Sequence, residues 1–194
     1  MKRIGVILFL SVIIMNGCVI TSFNPFYLKS DLVTDDQILG QWIEKKALLT
    51  FHKLDESNYL LNYKDCEDPY NAPDDFSTCT MAEFTVHLMK LGDNFFMDIY
   101  PRTFLNTDNL FSNLHIRATH SIARVEIGEE QLSVSLMDYN WMELYLEKNK
   151  SKLDHIITDD FVTLSATTME LQSFILEHQS ETGFYSKPML LKKR

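Results

Sequence analysis

The stretch MAEFTVHLMKLGDNFFMDIYP, residues 81–101, limits what this chain can fold into more than any other. Phe84, Val86 and Leu88 alternate with Glu83, Thr85 and His87. A period of two is that of a β-strand with one face buried. Gly92-Asp93-Asn94 supplies turn residues. Phe95, Met97 and Ile99 then alternate with Phe96, Asp98 and Tyr100 until Pro101 ends the run. An isolated hairpin is at best marginal in water, so the rest of the chain must supply partner strands.

It does so repeatedly. Trp42 to Phe51 reads as one strand, joined through the turn DESN to a partner at residues 58–64. LHIRATHSIARVEI, residues 114–127, reads as a long strand. Its apolar phase shifts from Leu114, Ile116 and Ala118 to Val125 and Ile127, which predicts a bulge or bend between His120 and Arg124. Leu132, Val134 and Leu136 then face inward on the return strand. Two helices come late. NWMELYLEKN has Asn140 as N-cap and Glu143 at N3, and TTMELQSFILEHQ pairs Thr167 with Glu170 and carries a stripe of Leu171, Phe174 and Ile175. DDFVTLSA between them is a strand, and FYSKPMLLKKR closes a sheet. The expectation is a mainly β domain: an antiparallel barrel of about eight strands, the size that holds one small ligand, with two late helices. An α+β antiparallel sheet with helices packed on it is the alternative. At 194 residues, 45% of them hydrophobic, the chain is sized for one domain, placed at residues 38–194.

The opening MKRIGVILFLSVIIMNGC is different in kind. Lys2 and Arg3 precede an apolar run from Ile4 to Met15. About 12 residues make a helix of roughly 18 Å, short of a ~30 Å hydrocarbon core, so residues 1–17 read as a signal peptide. Gly17-Cys18 resembles the lipobox of bacterial lipoproteins, with Met15 where that class usually has Leu. The resemblance implies cleavage before Cys18 and acylation of its thiol, which anchors a protein stably once several chains are attached. Val19, in place of the Asp that marks inner-membrane retention, implies sorting to the outer membrane. An ordinary signal peptide cut nearby, or a buried N-terminal element, are the other readings. Residues 18–37 are then a lipidated tether and entry segment.

Export exposes the other cysteines to an oxidising compartment. Cys66 and Cys79 flank a loop rich in Pro, Asn and Asp, and their pairing would close 14 residues, about 3 kcal/mol in the chain-entropy model. A metal fits less well: there is no CxxC and no His in the loop, and Glu67, Asp68, Asp74 and Asp75 lack EF-hand spacing.

Gly40-Gln41-Trp42, at the entry to the first strand, resembles the Gly-X-Trp signature of lipocalins. There the tryptophan closes the barrel base and a basic residue from the end of the barrel packs over it, a part that Lys192 or Arg194 would take. A second lipocalin motif, Thr-Asp-X-X-Tyr, is absent, and two helices exceed the single one of that family. The chain is more closely similar to a group of uncharacterised Gram-negative lipoproteins. They share ILGQW (38–42), LHIRATHSIARV (114–125) and LSATTMELQSF (164–174) in related form. That resemblance implies the exported, lipid-anchored class with a lipocalin-like barrel, and no activity.

No catalytic signature is present: no Gly-X-Ser-X-Gly, HEXXH, P-loop or GxGxxG. His115 and His120, an odd number of residues apart, fall on opposite faces of a regular strand and cannot share a metal without a bulge. His52 and His87 read as hydrogen-bonded or surface residues. Asp98 reads as solvated beside Phe96 and Tyr100, or as a buried acid, and forms with His120 and Arg124 a polar trio. Trp141 and Tyr145 share a helical side, as a core contact or a partner-facing patch. No catalytic residue, metal or cofactor is assigned. The net charge of −9 speaks against nucleic acid, since only KKR at 192–194 is a basic cluster; loss of Lys2 and Arg3 with the leader takes it to about −11. The sequence thus leads to an outer-membrane-anchored periplasmic protein that binds a small apolar ligand or an envelope partner, the alternative being an interaction protein with a filled core.

Overall fold

The computed structural model describes residues 20–65, 79–102, 117–149, 152–158 and 161–194. Twelve strands lie within them: β1 (Ile20–Ser22), β2 (Leu32–Val33), β3 (Gly40–Glu44), β4 (Ala47–Lys53), β5 (Asn58–Asp65), β6 (Thr80–Leu91), β7 (Asn94–Pro101), β8 (His120–Ile127), β9 (Gln131–Leu136), β10 (His155–Thr158), β11 (Phe161–Leu164) and β12 (Met189–Lys193). Two helices, α1 (Tyr139–Lys148) and α2 (Thr168–His178), fall between β9 and β12.

Seven strands from β3 to β9 form an antiparallel meander. β3 and β9 do not meet directly. β12 enters between them, pairing Leu191 with Leu132 and Lys193 with Trp42, and closes an eight-stranded antiparallel barrel. The mainly β barrel with two late helices expected from the strand periodicity is the fold observed. Phe84, Val86 and Leu88, and Leu132, Val134 and Leu136, point inward as their alternation requires.

The sheet forks at β8. One edge pairs with β7 throughout Ser121–Val125. The other edge pairs with β1 at His120 and Ser121, and with β9 from Ala123 onward. β1 carries β11 in parallel and, beyond it, β10. The register is unbroken along β8, so the expected bulge between His120 and Arg124 is absent. Both faces of this strand are covered: Ile122 is buried outward, Ala123 and Val125 inward. Within β8 burial on both sides, not an inserted residue, accounts for apolar residues on both faces; Leu114 and Ile116 lie outside the described residues.

Other differences are local. Trp42 to Phe51 is not one strand but a hairpin, β3 and β4, turning at Lys45, which adopts φ 50° without glycine. The first helix is capped by Asp138, whose carboxylate accepts from Trp141 N–H, two residues ahead of Asn140. Residues read as a tether are packed into the fold: Ile20 and Phe26 are buried, and β2 pairs with β6.

Two apolar cores result. One fills the barrel around Trp42, Phe51, Tyr59, Leu88, Met97 and Leu132. The other lies outside the wall, where Met89, Phe96 and Ile122 meet Phe26 and the buried stripes of both helices. Alternation along β6, β7 and β8 supplies both at once.

Candidate functional site

The barrel base is built from Gly40, Trp42 and the last strand. Gly40 sits at φ +108°, a region costly for any residue with a Cβ. Trp42 is fully buried, and its Nε1 donates to the Ile38 carbonyl at 2.7 Å. The cation over its ring is Lys193, Nζ 5.0 Å from the centroid, also bonded to Gln37 O at 3.2 Å. Neither Lys192 nor Arg194 takes that part. Lys193 pairs with Trp42 across the ladder and shares its face, whereas Lys192 pairs with Ile43. The inward parity of Leu191 is the sequence signal that selects 193. Tyr59 reinforces the base by accepting the Asp35 N–H at 2.9 Å.

Above this floor the interior loosens. Trp42, Phe51, Tyr59, Leu88 and Leu132 have at most 1% exposure, which leaves no water-sized space against them. Toward the opposite end, the inward positions Tyr63, Phe84, Ile99 and Leu136 are only half-buried.

A second constellation lies on the outer wall. Asp98 is wholly buried, not solvated. Its carboxylate accepts from Phe26 N–H at 2.8 Å and lies 2.7 Å from His120 Nδ1. Residues 23–28 cross over this part of β6 and β7, stacking Tyr27 on His87 at 4.2 Å, while Tyr100 lies against His120 at 4.5 Å. Burial lowers the His87 pKa, opposed by the Asp98 charge, and its buried Nδ1 has no hydrogen-bond partner among the described residues. Burial and Asp98 both raise the Tyr27 pKa. The expected trio is only partly formed. Asp98 and His120 meet, but the Arg124 guanidinium lies 4.3 Å over the Tyr185 ring. Burial pushes that phenol up to about 12 against the pull of Arg124.

A buried carboxylate on Nδ1 fixes an imidazole's tautomer and orientation, as in acid–base pairs. Here no hydroxyl or thiol joins the pair among the described residues, and the carboxylate's second bond holds backbone. The arrangement straps the N-terminal segment to the wall. Phe26 and Tyr27 were not legible as its partners; the only hint is the aromatic pair in NPFYL.

Trp141 and Tyr145 stack at 5.2 Å and 11° and, with Phe174 and Phe184, surround His178, whose Nδ1 lies 2.6 Å from Glu181. They are a core contact. An open groove of about 450 Å³ runs beside them, lined by Tyr145, Phe174, Met169, Ser173, Lys152, Glu170 and Glu177.

His52 is exposed on β4. Cys79 lies just ahead of β6, whereas Cys18, Cys66 and His115 fall outside the described residues. Among the described residues no group of three His, Cys, Asp or Glu is placed to hold a metal, and no helix is long and apolar enough to cross a membrane. No protein-family model, curated protein or solved structure matches the chain.

Proposed function

We propose that this is a lipid-anchored protein of the bacterial envelope, acylated on Cys18 at the periplasmic face of the outer membrane, whose barrel is a filled scaffold for contact with another envelope protein. The observation that carries the scaffold reading is the solid base: Trp42, Phe51, Tyr59, Leu88 and Leu132 occupy the space that a ligand would need. No residue is assigned a catalytic role. Titration with an apolar fluorophore tests this. Emission should show no saturable rise, and saturable uptake would replace the scaffold with a ligand-binding barrel.

One observation favours that second reading. Tyr63, Phe84, Ile99 and Leu136 leave half-buried apolar surface at the end opposite the Trp42 base. A small apolar molecule held there would be lost in Phe84→Asp and kept in Trp42→Phe.

The anchor and the disulfide belong to the same proposal. Intact mass of the protein from a Gram-negative host should correspond to a chain that starts at Cys18 and carries several acyl groups. An unmodified N-terminus elsewhere would remove the anchor. The β5–β6 register supports the disulfide: Asp65, which precedes Cys66 in the sequence, pairs with Thr80, which follows Cys79. Cross-strand Cα atoms ~4.5–5.5 Å apart fall within disulfide reach.

A further inference from the structure

We propose that the edge formed by β10 and β11 rests on the membrane beside the anchor, so that the domain is held in a fixed orientation on a lipid surface of low net charge. The proposal deepens the lipoprotein reading and rests on acylation of Cys18.

Chain length sets the argument. Only Val19 separates Cys18 from β1, and Ile20 is already buried within the sheet. Two steps of chain reach at most ~7 Å. Ile20 is paired with Val162, the neighbour of Phe161, across a ladder spacing of ~4.8 Å. Whatever path Val19 takes, the anchor Cα therefore lies within roughly 16 Å of Phe161 and within about 17 Å of Ile157, which also pairs with Val162. No swinging tether exists between lipid and domain.

The residues at that point are apolar and exposed: Phe161 by 58%, Ile157 by 51% and Ile156 by 49%. Ile156 and Phe161 lie on one face of the hairpin and Ile157 on the other, so an edge-on approach buries all three. Among the described residues β10 is the last strand of the sheet, and no strand of theirs pairs with its outer edge. Such an edge invites pairing unless something covers it. Three large apolar side chains gathered where acyl chains must enter a bilayer fit the interface between headgroups and acyl chains. The charge chooses the lipid. Exposed Lys152 and Asp154 beside β10 offset each other, so the edge itself has no basic excess, and the net charge of −9 on the chain disfavours an anionic surface.

The test uses the full chain from a Gram-negative host, its acylation verified by intact mass, in vesicles of zwitterionic phospholipid with brominated acyl chains. Phe161→Trp and Ile157→Trp place an indole in the edge. Leu54→Trp places one in the β4–β5 turn, next to β4, which lies four strands from β8 around the barrel. After subtraction of the parent signal, the two edge indoles should be blue-shifted and lose most of their emission to bromine, and the Leu54→Trp indole should not. Acylated protein whose edge indoles stay unquenched overturns docking and leaves the anchor intact. Protein without acyl groups overturns both. A blue shift that grows with protein concentration in lipid-free detergent, insensitive to bromine, assigns the edge to a second copy and overturns the lipid surface.

Discussion

The Asp98 carboxylate serves two partners at once, the Phe26 N–H and His120, so truncating it strands both in a dry site. Asp98→Ala should lower stability by about 3 kcal/mol in urea unfolding, the range for breaking a buried charged contact. Asp98→Asn keeps an acceptor for Phe26 and should lose less. His87 sets a pH dependence beside it. Burial disfavours the charged ring, so its pKa in the fold lies below the ordinary value. Between the two pKa values the unfolded chain binds a proton that the fold does not. This contribution is fully present above the ordinary histidine pKa of about 6.5 and falls away as pH drops below it. The urea midpoint should decline from pH 7 to pH 5, and His87→Leu should flatten that decline. Nothing in the alternation of β6 and β7 distinguishes a solvated Asp98 from a buried one. A segment some seventy residues upstream decides it, because an outward-facing position becomes interior only when other chain covers it.

Elements differ in how much of their definition is local. α2 was legible to the residue: Thr167 accepts from Glu170 N–H, and the Glu170 carboxylate returns to Thr167 N–H at 2.8 Å. Such a box lies within four consecutive residues, so sequence is enough. The β3–β4 turn was not legible, because Lys45 takes a positive φ that sequence reserves for Gly or Asn. Nor was β10, whose four residues HIIT are too few for a period and are ordered by pairing with β11. Gly40 is the reverse case, where a glycine does mark its backbone. A Cβ there would still clear the Lys193 Cε at 3.8 Å, so strain in φ, not crowding, sets the cost. Gly40→Ala should lose about 1–2 kcal/mol by thermal unfolding while keeping the Trp42 environment, read from near-ultraviolet circular dichroism.

The closed barrel depends on contacts distant in sequence. β12 joins strands that begin at residues 40 and 131, and its register puts Lys193 over Trp42. At the far end of β5 and β6, the proposed Cys66–Cys79 bond would staple a ladder of eight pairs, as long as the β6–β7 ladder beside it. Cys66→Ser should cost about 3 kcal/mol under oxidising conditions and nothing once the parent protein is reduced; equal stability of the two under oxidising conditions would remove the bond. The sequence by itself determined the antiparallel β class, the inward residues of the meander and the capping box of α2, because periodicity and capping act over a few adjacent residues. Only the tertiary structure decided that β12 closes the barrel, that β8 forks the sheet, that Lys193 covers Trp42, and that Asp98 is buried beneath residues 23–28. Each of those is a contact between segments far apart in the chain, and which of two alternating faces ends up dry depends on what packs against it.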